Sequence, residues 1–496
     1  MIRPEMPPHR NLAEISAFLG ISSDAANPVV AGVTSDSQQV MAGDLFVALQ
    51  GESVHGAGFA AAAIKDGAVA VLADAIGAEM LHDANILAPV LTCDLLRSRL
   101  GELAAWFYNA PSRDAYVAGI TGTNGKTTTT YLLDQIWRHA NLKSGLIGTV
   151  GIRIGDVEYP ATRTTPESDE IARILARAVE VGVRRIAMEV SSHALVQHRI
   201  SGTHFKSVGF TNLSQDHLDY HGDMENYFHA KRLLFKAQFA ERAFINVDNE
   251  YGLRLKAAID IETVTLSQHG PADWYFDRIA RTPTGFEISI RGTGGVLIEA
   301  ATNLIGQHNL ENLLLAVAIA FDSGVDPLVI SDSIPSLCGA PGRLERVSPN
   351  APFVALVDYA HTPDAVTRVL AAVRERGAGR VIAILGCGGD RDKSKRALMG
   401  RALHTGSDLP IFTSDNPRSE DPAEILREMV GELTLKPGAL VIADRRAAIK
   451  RAVELAQAGD FVIVLGKGHE SGQEIAGKKL PFSDREELSS AIGALK

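Results

Sequence analysis

Residues 119–130 read GITGTNGKTTTT, a glycine-broken stretch that closes on one lysine and four threonines. Gly122 and Gly125 let backbone N–H groups turn inward onto phosphate oxygens. Lys126 adds a point charge, and Thr127 offers a hydroxyl to Mg²⁺. The strict P-loop spacing, Gly-x-x-x-x-Gly-Lys, fails: counting back from Gly125 puts Ile120 where the first glycine belongs. A phosphate loop is still expected, because the loop sits between a strand-like run and a helix-like one. Transfer of a γ-phosphoryl group needs a divalent metal to neutralise developing charge. Candidate ligands are Glu189, ending the apolar run RRIAMEV, and His217 in NLSQDHLDYHG. Taken alone, Glu189 serves as readily in a salt bridge, and His217 as a hydrogen-bonded histidine.

Three further stretches carry chemistry. SSHALVQHR, 191–199, mixes hydroxyls, amides and an arginine that suit hydroxyl and carboxylate groups, although helix caps also use serine. GCGGDRDKSKR, 386–396, follows the strand-like RVIAIL; as a dinucleotide fingerprint it fails, since Arg391 stands where the third glycine belongs. SDNPRSEDP, 414–422, puts Asp415, Asn416 and Arg418 at the end of LPIFT. Arginine binds carboxylates bidentately and aspartate binds ammonium groups, so this cluster could recognise an amino acid. An Asn-Pro turn explains it equally well.

The elements that must position these residues fall into three blocks. Up to about residue 112, VVAGVTSDSQQV, GDLFVAL and AVAVLAD read as short strands, and YNAPSRD as a linker. AYVAGI then reads as the strand before the phosphate loop, and TTTYLLDQIWRHA as its helix, with Leu132, Leu133, Ile136 and Trp137 at helical spacing. RRIAMEV and SVGFTNL are buried-type strands, and IGQHNLENLLLAVAIAF is a loop entering a buried helix. From GAPGRLERV onward, RVIAIL, LPIFT, GALVIA and DFVIVLG recur with helical stretches between them, the pattern of a parallel sheet with crossover helices. A chain of 496 residues suggests about three domains, and 46% hydrophobic content supplies their cores. The net charge of −10 argues against broad nucleic-acid binding. Cys93, Cys338 and Cys387 make neither a disulfide framework nor a zinc pattern and are expected to be buried free thiols. With no signal-peptide core and no membrane-spanning run, a cytoplasmic protein is expected.

GTNGKTTT, MEVSSHALVQHR, NLSQDHLDYHG, DYAHTPDA, GCGGDRDKSKR, SDNPR and LGKGHE, taken together and in this order, resemble the Mur ligases, whose phosphate loop is GTNGK followed by Ser or Thr. The match runs from about residue 33 to residue 486 and is closest to the diaminopimelate-adding members. It implies an α/β protein of three domains: a smaller UDP-binding domain at 1–112, a central ATP-binding domain with a P-loop-type parallel sheet at 113–340, and a Rossmann-like amino-acid-binding domain at 341–496. It also implies the reaction. ATP would phosphorylate the D-glutamate side-chain carboxylate of UDP-N-acetylmuramoyl-L-alanyl-D-glutamate, and the amine of meso-2,6-diaminopimelate would then displace phosphate to give an amide. ATP and Mg²⁺ are the implied cofactors, and a monomer with no nucleic-acid or membrane partner is expected.

The resemblance also implies roles for individual residues. Gly122, Thr123, Asn124, Gly125, Lys126, Thr127 and Thr128 match the ATP loop, Asn309 and Asn312 the surroundings of adenine, and Arg343 and Asp358 further ATP contacts. Glu189 and His217 match metal ligands, with Thr127, and Lys231 matches a lysine that the family carbamylates. Without the resemblance Lys231 reads as a surface lysine. Ser35 and Ser37 match a uridine-binding turn. Glu52, Ser53 and Val54 sit where further uridine contacts fall, in a stretch that departs from the family pattern. Thr164, Thr165, Ser191, Gln197 and Arg199 match contacts to the muramoyl-dipeptide. Arg391, Asp415, Asn416, Pro417, Arg418, Gly466 and Glu470 match the diaminopimelate pocket. Lysine-adding members lack the arginine of DNPR, so diaminopimelate is expected over L-lysine. The rival readings are the same ligase chemistry with L-lysine or another third amino acid, a folylpolyglutamate synthetase, which shares the loop and the three-domain plan, and a P-loop switch that uses ATP only to change partners.

Overall fold

The structure is a computed structural model; it describes residues 2–21, 26–51, 53–282, 285–347, 351–377 and 379–495. Glu52 lies outside the described residues. Near the N-terminus, β1 (Gly32–Thr34), β2 (Asp44–Ala48), β3 (Ala70–Ala73) and β4 (Val90–Thr92) form a four-stranded parallel sheet in sequence order. Leu45 and Val47 point to one side of it and Phe46 and Ala48 to the other, each in its own apolar cluster, so the strands read as continuous apolar runs rather than alternating ones. YNAPSRD is more than a linker. Pro111–Arg113 is a helical turn, and Pro111 and Ser112 are buried, with the Ser112 hydroxyl taking the His204 N–H at 3.0 Å.

The middle of the chain builds one large sheet. Its elements are β5 (Tyr116–Thr121), α1 (Lys126–His139), β6 (Ser144–Ile147), β7 (Ile152–Ile154), β8 (Val157–Tyr159), α2 (Ser168–Glu180), β9 (Arg185–Glu189), α3 (Ser192–Val196), β10 (Phe205–Phe210), α4 (Met224–Arg232), β11 (Ala240–Asn246), β12 (Glu262–Ser267), β13 (Trp274–Arg281), β14 (Phe286–Arg291), β15 (Leu297–Thr302) and α5 (Gln307–Asp322). Among the described residues the strands run β8-β7-β6-β9-β5-β10-β11-β12-β13-β14-β15. From β6 to β13 the pairing is parallel, but β7 and β8 at one edge, and β14 and β15 at the other, are antiparallel. The expected parallel sheet is thus mixed at its rims. The phosphate-loop strand β5 lies between β9 and β10, so the loops after these three strands open at one end of the sheet, where α/β proteins place ligands. Leu132, Leu133, Ile136 and Trp137 of α1 are all buried, each worth roughly 1.5–3 kcal/mol. α5 packs against α1 and buries eleven residues, which is why it reads as apolar nearly all round.

The last third forms a six-stranded sheet from β16 (Glu345–Val347), β17 (Val354–Asp358), β18 (Val381–Leu385), β19 (Leu409–Phe412), β20 (Leu440–Val441) and β21 (Phe461–Leu465), in the order β16-β17-β21-β18-β19-β20. All neighbours are parallel except β16 with β17. The run GALVIA contributes only Leu440–Val441 as strand. Crossover helices include α6 (Pro363–Arg374) and α7 (Ser394–Gly406), the first begun by a Thr362 hydroxyl on the Ala365 N–H and by Pro363 in its first turn. The cysteines are free, but only Cys93 and Cys387 are buried; Cys338 is exposed. It lies where the chain crosses the surface between the second and third sheets, tethered there by its backbone to the Gln135 side chain at 2.9 and 3.0 Å.

Candidate active site

The phosphate loop is formed as the sequence demands. Gly122 has φ +148° and Gly125 φ +90°, and a methyl at either would collide, with the Thr211 hydroxyl and the Asn312 carbonyl oxygen respectively. Only glycine tolerates both the backbone and the crowding. The Asn124 N–H donates to Asn212 Oδ1 at 3.0 Å, and the Thr123 hydroxyl lies 3.2 Å from that of Tyr227. Lys126 Nζ donates to the carbonyls of Gly122 and Thr123 at 2.9 and 3.0 Å. Burial pushes this ammonium below its usual range, against the pull of Glu189. A phosphate would supply an anion for this half-buried lysine.

Glu189, at the end of β9, is buried and held on both oxygens. Oε1 takes the Thr149 N–H at 2.8 Å, while Oε2 takes the Thr127 hydroxyl at 2.8 Å and that of Thr149 at 3.2 Å. Gly148 makes room for it, since a methyl there would strike Oε1. Lys231 is no surface lysine. Its side chain is buried, its Nζ donates to the Gly122 carbonyl at 2.9 Å, and it lies 4.5 Å from the Tyr227 ring centre. Burial, with Lys126 nearby, drives its ammonium well below the usual range. His217 follows β10 in a left-handed conformation, 3.4 Å from Asp216. Burial pushes it down to about 4, against the raising effect of Asp216. Asp216 in turn is held down to about 2: burial opposes ionisation, but His217, His361 and Lys395 outweigh it.

Around the loop mouth, Asn124, Gly125, Thr128, Asn309, Asn312, Arg343 and Asp358 line one cleft, together with His308 and Arg368. Asn312 Nδ2 donates to Asn309 Oδ1 at 3.1 Å, and Asn309 to the Ile305 carbonyl at 2.8 Å. Arg343 lies over Tyr359 at 4.7 Å, and its buried Nε has no hydrogen-bond partner among the described residues. Asp358 takes the N–H groups of Leu344 and Ala360 at 2.6 and 2.7 Å.

A second cleft of about 470 Å³ joins the central and third sheets. His193, Asp216 and His217 line it from one side, and Arg391, Asp415, Asn416, Arg418, Gly466 and Glu470 from the other. Lys395, in the first turn of α7, reaches across to Asp216 at 2.8 Å. Arg418 has φ +51° and donates to the Gly389 carbonyl at 2.6 Å, with Glu474 at 3.5 Å. Asn416 Nδ2 donates to Glu470 Oε2 at 2.9 Å. Asp415 faces the buried Lys467 at 3.4 Å, and burial raises its carboxyl against the effect of that cation.

The residues matched to the UDP-sugar peptide lie between the first and second sheets. The Ser35 N–H and hydroxyl donate to Asp169 at 3.0 and 2.9 Å, and Ser37 opens a short helical turn. Thr165 is fully buried, bonded to the Glu189 carbonyl and the Ser191 N–H at 2.9 and 3.0 Å. Ser191 caps α3, as its residue type alone allowed. Thr164 meets Thr149 at 3.0 Å, and Arg199 bonds Gln197 at 2.6 Å and Glu167 at 3.1 Å. Thr149, Asp216, Lys395 and Lys467 were not anticipated. Asp216, Lys395 and Lys467 lie inside motifs already noted, and for Asp216 and Lys467 a charge beside histidines or glycines was the available signal.

The chain matches the model of the Mur ligase family catalytic domain at 29–108, the Mur ligase middle domain at 120–320 and the Mur ligase glutamate ligase domain at 342–468. It is 44% identical over 488 residues to the UDP-N-acetylmuramoyl-L-alanyl-D-glutamate–2,6-diaminopimelate ligase of Streptomyces coelicolor, covering 97% of this chain and 96% of that protein. The chain belongs to the Mur ligase family. A solved structure of a ligase with the same printed name shares its fold with a TM-score of 0.68 at 33% identity, covering 98% and 99% of the two chains. A folylpolyglutamate synthase of Mycobacterium tuberculosis has the fold at a TM-score of 0.61 and 18% identity, over 73% of this chain and 91% of its own. Among the described residues, no helix of this Mur ligase is long and apolar enough to cross a membrane.

Proposed function

We propose that this Mur ligase uses ATP to join meso-2,6-diaminopimelate to UDP-N-acetylmuramoyl-L-alanyl-D-glutamate, making a peptidoglycan precursor. The observation that carries this reading is the shared cleft: the loop after β10, beside the phosphate loop, faces the Arg391, Asn416, Arg418 and Glu470 cluster across one opening. Activated acid and incoming amine would meet there. The domain limits we propose are 1–112, 113–340 and 341–496, and the enzyme is proposed to act as a cytoplasmic monomer.

The steps follow from the groups available. A carboxylate is a poor electrophile, so its oxygen first attacks the γ-phosphorus of ATP, releasing ADP and leaving an acyl phosphate. The substrate amine, once deprotonated, attacks the acyl carbon, and phosphate leaves with the carboxylate oxygen. Lys126 and the loop N–H groups hold phosphate oxygens, and Arg343 adds a cation from the third sheet's side. Arg199 and Gln197 orient the dipeptide, and Arg418 and Glu470 hold the distal carboxylate and ammonium of the diamino acid. Water hydrolyses acyl phosphates, so closure of the domains around the reactants protects the intermediate.

The residues present fit Mg²⁺. The Thr127 hydroxyl and the Glu189 carboxylate, 2.8 Å apart, offer the hard oxygen donors that this ion takes. Glu189, His217, Thr127 and Lys231 as its carbamate would hold it, and the ion supplies charge neutralisation at the phosphates when bound. His217 pushed to about 4 stays neutral, as a ligand must. Lys231 pushed below the ammonium range favours the free amine, the form that adds carbon dioxide.

A phosphate-release assay with UDP-muramoyl-dipeptide and a panel of amino acids tests this reading. Release should depend on both substrates and be fastest with meso-diaminopimelate. Comparable turnover with L-lysine defeats the choice of amino acid, and release with a folate instead of the UDP substrate defeats the substrate class.

A further inference from the structure

Lys467 stands two residues beyond β21, and its side chain is completely buried. Burying an ammonium costs several kcal/mol unless it is paired and hydrogen-bonded. Its Nζ donates to Asn416 Oδ1 and Glu470 Oε2, each at 2.9 Å, and lies 3.4 Å from Asp415 Oδ1. All three partners line the cleft that the ligase reading gives to the diamino acid. With no exposed surface, Lys467 itself has no way to touch a ligand there.

We infer that Lys467 is a positioning residue that fixes the Asn416 amide and the Glu470 carboxylate in the orientation the amino-acid substrate meets. The inference rests on the ligase reading and goes beyond it by assigning the specificity pocket a buried support. The donor inventory carries the argument. A side-chain amide has an accepting and a donating end, and nothing in its shape selects between them. Asn416 Oδ1 receives two donors, Lys467 Nζ and the Glu474 N–H at 3.0 Å. Neither of these groups can accept, so the amide cannot turn over without losing both bonds. Nδ2 therefore faces Glu470 Oε2 at 2.9 Å and fixes that carboxylate. Burial works against ionisation of Glu470, but Lys467 and Asn416 together hold it below the usual carboxylate range. Within the cluster itself, Asp415 and Glu470 against Lys467 leave one negative charge, beside the Arg391 and Arg418 cations of the same cleft. Beneath them, the buried Arg445–Asp484 pair ties the Ser414 and Leu465 carbonyls together, so the strand ends carrying this cluster are braced from below.

The test is Lys467→Met, which keeps the length of the side chain and removes its charge. KM for meso-diaminopimelate should rise by about tenfold or more, while KM for ATP and for the UDP substrate stays within about twofold. Because the variant leaves the buried Asp415 and the half-buried Glu470 without their shared cation, Lys467→Met/Asp415→Asn restores the charge of this cluster. Compared with Asp415→Asn alone, it should show the same selective rise. An unchanged KM for diaminopimelate, or an equal rise in all three KM values, overturns the assignment. Wild-type enzyme run in parallel separates the two claims: no amide from wild type contradicts the ligase reading, whereas active wild type with unaltered variants contradicts only the role of Lys467.

Discussion

Lys231 and Arg418 illustrate how far a residue's surroundings decide its use. Lys231, in HAKRLLF, reads without the resemblance as a surface lysine, yet it is buried against the Gly122 carbonyl and Tyr227. Lys231→Ala should leave ATP binding measurable while carboxylate phosphorylation falls by about 10³-fold, and short carboxylates such as acetate should restore part of it. Equilibrium nucleotide binding alongside phosphate release checks this, and near-normal turnover would remove Lys231 from the mechanism. Arg418 lies on a backbone of φ +51° that aims its guanidinium into the cleft from an anchored loop. Arg418→Ala should lower kcat/KM for meso-diaminopimelate by on the order of 10³-fold and leave the slow reaction with L-lysine nearly unchanged, because lysine has no second carboxylate to lose. Competition between the two amino acids reads the ratio directly; equal losses for both contradict the assigned role. The types of these residues were visible in the sequence. The burial of Lys231 was not, because it depends on the Gly122 carbonyl, 109 positions away in the chain.

Strands and helices were legible wherever burial is two-sided. β5, β9, β18 and β21 are continuous apolar runs, and α1 keeps its helical spacing. The antiparallel ribbon β13–β15 was not legible, since one face is wet and charged residues such as Asp277, Arg278 and Glu287 interrupt its pattern. The phosphate loop was legible from its glycines, and the crowding around them has a measurable consequence. Gly125→Ala combines a φ of +90° with a methyl against Asn312, so KM for ATP should rise by about tenfold or more while the fold survives; an unchanged KM contradicts the packing. α5 carries a pH signature. Burial pushes His308 down to about 4 from an ordinary 6.5. Between those values the unfolded chain takes up a proton that the folded chain refuses, so stability falls as pH drops from about 6.5 toward 4. Glu311, pushed up to about 7 by burial, works in the opposite sense, losing stability as pH rises from about 4.5 to 7. The comparison must therefore be differential. His308→Asn should lose less thermal stability between pH 7 and pH 5 than the parent does, and an identical loss contradicts the burial of His308.

At the scale of the whole molecule, the central parallel strands could be read from the chain, but the way the sheets close on one another could not. Polar contacts cross both junctions, among them Ser35 with Asp169 and Arg97 with Glu167 between the first and second sheets, and Lys395 with Asp216 and Arg281 with Glu375 between the second and third. Nothing in the spacing of GCGGDRDKSKR singles out Lys395 as the residue that crosses the cleft. Lys395→Ala should loosen the third domain, raising the radius of gyration in solution scattering and raising KM for ATP and for the amino acid together, unlike the selective effect expected at Lys467. Unaltered scattering and kinetics would show that the bridge does not hold the domains. The central claim is that the terminal phosphate of ATP makes a carboxylate attackable within this cleft. It is tested most directly by giving the enzyme UDP-muramoyl-dipeptide carrying ¹⁸O in both oxygens of the D-glutamate side-chain carboxylate, with ATP, Mg²⁺ and meso-diaminopimelate, and reading the phosphate by mass spectrometry. Acyl-phosphate chemistry predicts one ¹⁸O in each phosphate released; amide formation with unlabelled phosphate would contradict it.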